Sequence, residues 1–177
     1  MDLKRKPLGI IGLGNELLSD DGVGIRIVRE LSKRLTGRDV VCEELSIGGL
    51  PMLDVLTSYE RCIIVDAVVT GEHPSGTAYR FVHSPGRPGR TAKSSHQIDL
   101  AQVLSLAALM GADLPQTVTV YGVEAGDTTT FRDSCTEEVS RAIPLVVETV
   151  CRDLEMDDGA IKARPGEWEI LTETAAA

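Results

Sequence analysis

The chain has 177 residues, of which 42% are hydrophobic and 25% are charged, and its formal net charge is −9. This composition is typical of one globular domain with a hydrophobic core, and the negative charge argues against non-specific nucleic-acid binding, which depends on clustered lysine and arginine. No apolar stretch reaches the roughly 18 to 20 residues of a transmembrane helix, and the four cysteines form no C-x-x-C pair, so we expect reduced thiols in a cytoplasmic protein.

Segments with strand-like and helix-like hydrophobic patterns alternate along most of the chain. In chain order they are strand 7–12, helix 22–35, strand 40–45, helix 51–59, strand 61–69, antiparallel edge strand 77–82, helix 96–110, strand 117–123 and helix 136–154. This alternation favours a three-layer α/β/α sandwich around a twisted, mostly parallel five-stranded sheet with one antiparallel edge strand. Residues 1–156 are expected to form a single α/β domain, and residues 157–177 a mobile C-terminal tail.

The first predicted strand leads into GLGNELLSDDGVG, residues 12–24, which begins like a nucleotide-binding loop. Leu17 stands where a dinucleotide fingerprint has its third glycine, and Asp20 and Asp21 would repel a phosphate at the start of the helix. The opening GLGN also resembles the peptidyl-tRNA hydrolases, but the proline and catalytic-histidine stretch expected soon after it are missing. We therefore expect no nucleotide cofactor and a turn that presents carboxylates.

Three residues with metal-binding side chains fall at the ends of predicted elements. Asp21 lies in the loop that leaves the first strand, Asp66 at the end of CIIVD, and His96 where a loop meets a helix. Sites in open α/β sheets form beyond the carboxyl ends of the strands, and two carboxylates with one imidazole suit a divalent transition metal. Each residue also has a structural interpretation: Asp21 as a helix cap, Asp66 in a buried salt bridge, and His96 at a helix start on the surface.

Asp20, His73 and His83 are polar residues that are not expected to be metal ligands. Asp20 is expected to cap the helix that follows it, with orientation of the Asp21 loop as the alternative. His73 and His83, at a turn and at a strand end, are expected to take no part in the site.

Four segments, GLGNELLSDDGVG, IIVDAV, SSHQIDLAQVL and VYGVEAGD, together resemble the nickel–iron hydrogenase maturation endopeptidases in order and spacing. The resemblance implies that Asp21, Asp66 and His96 form the metal-recognition and catalytic site. It implies that the substrate is the precursor of a hydrogenase large subunit, whose C-terminal extension is removed after nickel insertion. The nickel is then carried by the substrate rather than held tightly by the enzyme.

The chain departs from this family at Ile47, which stands before the Gly-Gly of the second loop where the family often has an acidic residue. The resemblance still implies a metal-recognising endopeptidase of aspartic or metallo type. A monomer is the simpler expectation for a protein that must grip a large partner, and the charge and the lack of a long apolar stretch lead us to expect no nucleic-acid or membrane partner. The alternative is a non-enzymatic nickel carrier or chaperone, which would bind nickel tightly by itself and leave the precursor uncut.

Overall fold

The computed structural model of the chain describes residues 6–46, 50–83, 100–115, 117–155 and 168–172. The elements in these ranges are β1 (Lys6–Leu13), a 3-10 turn (Ser19–Gly22), α1 (Val23–Arg34), β2 (Val41–Leu45), α2 (Leu50–Leu56), β3 (Tyr59–Val68), β4 (Ala78–His83), α3 (Leu100–Leu109), β5 (Thr117–Glu124), α4 (Glu137–Glu155) and β6 (Trp168–Ile170).

The strands form one sheet in the order β2-β1-β3-β5-β4-β6. The pairs β1–β2, β1–β3 and β3–β5 are parallel, and β4 is antiparallel to both of its neighbours. The predicted class, a mostly parallel sheet with an antiparallel edge, is confirmed. Over the described residues the sheet has six strands rather than five, because β6 covers the outer side of the strand that was predicted to be the edge.

Strand β6 lies within the stretch that was predicted to be a tail. Its Trp168 ring stacks on Phe81 with 5.0 Å between ring centroids, and its Glu169 pairs with Arg80 at 2.7 Å. Arg80 also contacts Asp153 of α4 at 2.5 Å, so one guanidinium joins β4, β6 and α4. Three residues of the predicted tail therefore form a strand, while the proposed domain boundary at residue 156 stays a prediction.

The helices lie on both faces of the sheet, which confirms the three layers. One core packs β-strand side chains such as Ile63 and Val65 against α1 and α4. The other packs Cys62 and Ile64 against α2 and α3. Since successive side chains of a strand point to opposite faces, Asp66 follows Ile64 on the α2–α3 side of the sheet.

The predicted helices differ from the observed ones mainly at their ends. Helix α2 ends at Leu56 because Tyr59, predicted as its last residue, opens β3 and pairs with Lys6 of β1. Helix α4 continues through Pro144. The predicted helix 96–110 is described from Leu100 onwards as α3. All four cysteines are free thiols, and none of the helices in the described ranges could cross a membrane.

The three tyrosines of the chain are all buried, and this predicts how the protein responds to alkali. Burial, with Glu124 as hydrogen-bond acceptor, raises the pKa of Tyr79 to about 12, and burial also raises the pKa of Tyr59 and Tyr121. The folded state therefore holds these protons more tightly than the unfolded chain, so their stabilising contribution is complete below about pH 10, and that of Tyr79 is lost as the pH rises through 12. We expect tyrosinate absorbance at 295 nm to appear together with the loss of circular dichroism; a normal tyrosine titration of the folded protein would contradict this.

Candidate active site

The turn after β1 folds back on itself and fixes the Asp21 carboxylate. Gly14 has φ +146, and a Cβ atom there would lie 2.0 Å from the Asp21 carbonyl oxygen, so only glycine fits this approach. The side-chain oxygen of Asn15 accepts a hydrogen bond from the Leu17 N–H at 3.1 Å, which closes a local turn. The Asn15 N–H donates to Asp21 Oδ2 at 2.8 Å and thereby sets the position of this carboxylate.

Helix α1 brings this turn onto the carboxyl ends of β1 and β3. Gly24, in the first turn of the helix, lies so close to the sheet that a Cβ atom would be 2.3 Å from the carbonyl oxygens of both Leu13 and Val65. Asp66 is the next residue after Val65, and the 3-10 turn that carries Asp21 also contacts β3. The structure therefore places Asp21 and Asp66 at the same edge of the sheet, as predicted from the sequence.

Buried negative charge is concentrated at this edge. Asp21 is 6% exposed and Asp66 is 4% exposed. Within the described ranges every buried side chain that carries a charge is a carboxylate, namely Asp20, Asp21, Asp66 and Glu124. Burial of several carboxylates is costly unless they are hydrogen-bonded or meet a cation, and Asp20 and Glu124 each accept four hydrogen bonds here.

The prediction that Asp20 caps α1 is wrong, and so is the capping interpretation of Asp21. Gly22 occupies the N-cap position of α1, where no side-chain hydrogen bond is made. The Asp20 carboxylate instead accepts hydrogen bonds from the loop after β5, including those from the Gly126 and Asp127 N–H groups at 3.0 and 2.9 Å. Both aspartates lie in the 3-10 turn before α1 rather than at its N-cap. The Asp20 carboxylate therefore accepts hydrogen bonds from these distant donors instead of from α1.

Glu124 is a structural residue of this edge that the sequence analysis missed. Its carboxylate accepts hydrogen bonds from the Thr70 N–H at 2.8 Å, the Gly71 N–H at 2.9 Å, the Thr70 hydroxyl at 2.7 Å and the Tyr79 hydroxyl at 3.0 Å. It therefore holds the connection that leaves β3 just beyond Asp66. The available signal was an acidic residue at the end of the apolar run TVTVYGVE, the same kind of pattern that singled out Asp66.

His96 and Ile47 lie outside the described residues, so the third predicted ligand stays a prediction. Helix α3, which begins four residues after His96, packs on the sheet face to which Asp66 belongs. Over the part of the chain that the structure covers, no three His, Cys, Asp or Glu side chains form a group able to hold a metal. His73, predicted to take no part, is exposed and packs edge-on against Tyr79, 5.8 Å between ring centroids.

Known proteins are similar to this chain in both sequence and fold. The family model described as hydrogenase maturation protease (HycI) matches residues 25–153, a range that contains Asp66 and His96 and begins just after Asp21. The hydrogenase expression/formation protein HupD of Rhizobium leguminosarum bv. viciae is 31% identical over 160 residues, which is 88% of this chain and 78% of the relative. The hydrogenase 2 maturation protease of Escherichia coli (strain K12) is 35% identical over 117 residues, 64% of this chain and 70% of the relative.

The fold leads to the same group of proteins. The solved structure of the hydrogenase maturating endopeptidase HybD from E. coli superposes with a TM-score of 0.69 at 25% identity, covering 93% of this chain and 96% of that one. Fold and sequence together define the class as an α/β endopeptidase, a hydrolase of peptide bonds. The chain belongs to the hydrogenase maturation protease family.

Proposed function

We propose that this protease removes the C-terminal extension from the precursor of a nickel–iron hydrogenase large subunit, and that it acts only after nickel has been inserted. The observation that supports this most is that two buried carboxylates, Asp21 and Asp66, lie at the carboxyl ends of the neighbouring parallel strands β1 and β3. With His96 they supply two oxygen ligands and one nitrogen ligand and leave coordination positions on a divalent metal open. Such an incomplete set suits a metal that arrives with the substrate.

The proposed role of this site is to anchor the precursor. Asp21, Asp66 and His96 bind the nickel of the precursor through its open coordination positions. This contact holds the scissile peptide bond beside the same side chains, and correct placement of reacting groups lowers an activation barrier by several kcal/mol. A precursor without nickel lacks the anchor and is not cut, which keeps the protease inactive towards other proteins.

Two groups at this edge are able to activate the attacking water. Nickel lowers the pKa of a bound water, and a carboxylate acts as a general base. Loading the precursor with zinc in place of nickel distinguishes the two chemistries. The kcat changes with the metal if the metal activates the water. If a carboxylate is the base and either metal anchors the precursor in the same place, KM changes and kcat is kept.

Nickel-dependent cleavage is the direct test of the proposed function. The enzyme is incubated with its cognate precursor, nickel-free or nickel-loaded, and the shortened product is followed by mass spectrometry. Because the anchor is absent from the nickel-free precursor, we expect it to be cleaved at least about 100-fold more slowly. Equal rates on the two forms would contradict nickel recognition while leaving the endopeptidase activity in place.

Calorimetry with nickel alone is the matched control for the alternative of a nickel carrier. The protease proposal expects weak binding of free nickel, because two carboxylates and one imidazole leave the coordination incomplete. Tight binding of nickel by the isolated chain, with no change in the mass of the precursor, would favour the carrier and contradict the protease.

A further inference from the structure

The Asp20 carboxylate lies buried at the junction of two loops that are far apart in sequence. It is 0% exposed. Its Oδ2 accepts hydrogen bonds from the N–H groups of Gly126 at 3.0 Å and Asp127 at 2.9 Å, and from the Thr136 hydroxyl at 3.1 Å. Its Oδ1 accepts the Thr136 N–H at 2.6 Å. Four donors therefore converge on one buried carboxylate.

Backbone hydrogen bonds hold the same two loops together alongside this carboxylate. The Asp20 N–H donates to the Asp127 carbonyl at 2.9 Å. The Ser19 N–H donates to the Arg132 carbonyl, and the Arg132 N–H donates to the Leu17 carbonyl, each at 2.9 Å. Ser19 has φ +52, a backbone conformation that a residue with a side chain keeps only when its surroundings impose it. The turn before α1 is thus fixed from outside, by the loop after β5.

Asp21 shares a peptide plane with Asp20, so the fixing of one sets the direction of the other. The Asp21 N–H donates to the Leu18 carbonyl at 3.1 Å, and its Oδ2 accepts the Asn15 N–H at 2.8 Å. Building on the proposed function, we infer that Asp20 is a positioning residue: its bonds to Gly126, Asp127 and Thr136 aim the Asp21 carboxylate at the metal of the precursor.

An asparagine at position 20 tests this inference because it keeps the shape of the side chain and changes its hydrogen bonding. One of the two carboxylate oxygens becomes an NH₂ group. A hydrogen-bond donor then faces the N–H and hydroxyl donors of the loop after β5, where the wild type has an acceptor. If Asp20 serves stability alone, Asp20→Asn weakens the hydrogen bonds from the Gly126, Asp127 and Thr136 N–H groups and lowers the melting temperature. If Asp20 positions Asp21, the variant must in addition weaken the hydrogen bond that the Asn15 N–H donates to Asp21, a bond in which Asp20 takes no part.

The experiment compares the full-length wild type with Asp20→Asn, using amide hydrogen exchange of Asn15 and steady-state cleavage of the nickel-loaded precursor. We expect protection of the Asn15 amide to fall about tenfold and kcat/KM to fall about 100-fold, since a displacement near 1 Å of a reacting group has an effect of this size. Asp54→Asn is the matched control, because it makes the same chemical change at an exposed position on α2, outside the two loops that Asp20 joins. It should match the wild type in both measurements.

The outcomes separate this inference from the proposed function. A folded Asp20→Asn protein with wild-type Asn15 protection and wild-type kcat/KM overturns the positioning role. If Asn15 protection falls while the wild type itself fails to cut the precursor, Asp20 still positions Asp21 and the proposed function is wrong. If Asp20→Asn does not fold, Thr136→Ala and Thr136→Ser replace it: loss of Asn15 protection with alanine and its return with serine support the inference, and unchanged protection in both overturns it.

Discussion

Replacing Asp66 with asparagine is expected to lower kcat for the nickel-loaded precursor by about 1,000-fold and to leave the protein folded. The amide has nearly the volume of the carboxylate, so the packing at the end of β3 is kept while the negative charge is lost. A neutral amide is a poorer ligand for a divalent metal and accepts no proton from water. Mass spectrometry of the precursor measures the rate, and a circular dichroism melt of the variant checks the fold.

The control for this variant is the same chemical change on the surface. Asp54 is exposed on α2, so Asp54→Asn should cleave the precursor at the wild-type rate and melt at the wild-type temperature. A folded Asp66→Asn protein that cuts as fast as this control would remove Asp66 from the site.

The position of Asp66 at the carboxyl end of a buried strand could be predicted because both of the signals for it are local in the sequence. An acidic residue inside the apolar run IIVDAV is costly to bury unless it has a role, and the length of that run puts it near the carboxyl end of a strand. The alternation of strands and helices was enough to predict the parallel sheet with helices on two faces, since few topologies satisfy short, right-handed crossovers. These two inferences together located the edge of the sheet at which Asp21 and Asp66 lie.

The role of Asp20 could not be predicted in the same way. Serine and two aspartates before a helix are a typical capping pattern, and local rules favour that interpretation. The donors that Asp20 serves lie at Gly126, Asp127 and Thr136, more than 100 residues away, and only the folded chain brings them near. The role of Asp20 is therefore set by hydrogen bonds to distant residues, and the local capping rule does not apply to it.

Strand β6 was missed for a related reason. Three residues are too few for an alternating pattern, and two of them, Glu169 and Ile170, remain exposed in the sheet. What holds the strand is contact with residues far back in the sequence, chiefly Phe81 under Trp168 and Arg80 beside Glu169. A short terminal strand is defined by the surface that receives it, and that surface appears only after the rest of the sheet has formed.

Replacing Gly24 with alanine is expected to lower the free energy of unfolding by about 2 kcal/mol or more and to abolish most cleavage, although alanine is the better helix former by about 1 kcal/mol. The new Cβ atom would lie 2.3 Å from the carbonyl oxygens of Leu13 and Val65, and neither backbone can give way without breaking a strand. Helix α1 must therefore move off the sheet, and the turn that carries Asp21 moves with it, away from Asp66. Thermal melting should show a decrease of roughly 4–8 °C, and kcat should fall about 100-fold.

Gly37→Ala separates this steric effect from the general cost of replacing a glycine. Gly37 lies beyond the end of α1 with φ +86, and no atom comes within 4 Å of the Cβ position, so alanine there meets backbone strain but no collision. A strain of this kind costs about 1–2 kcal/mol, and it arises at the end of the helix remote from Asp21. We therefore expect Gly37→Ala to melt lower than the wild type and still cleave normally, because its strain lies away from the close contact that α1 makes with β1 and β3 at Gly24. A Gly24→Ala protein with wild-type melting and cleavage would show that α1 is not held at this distance from β1 and β3.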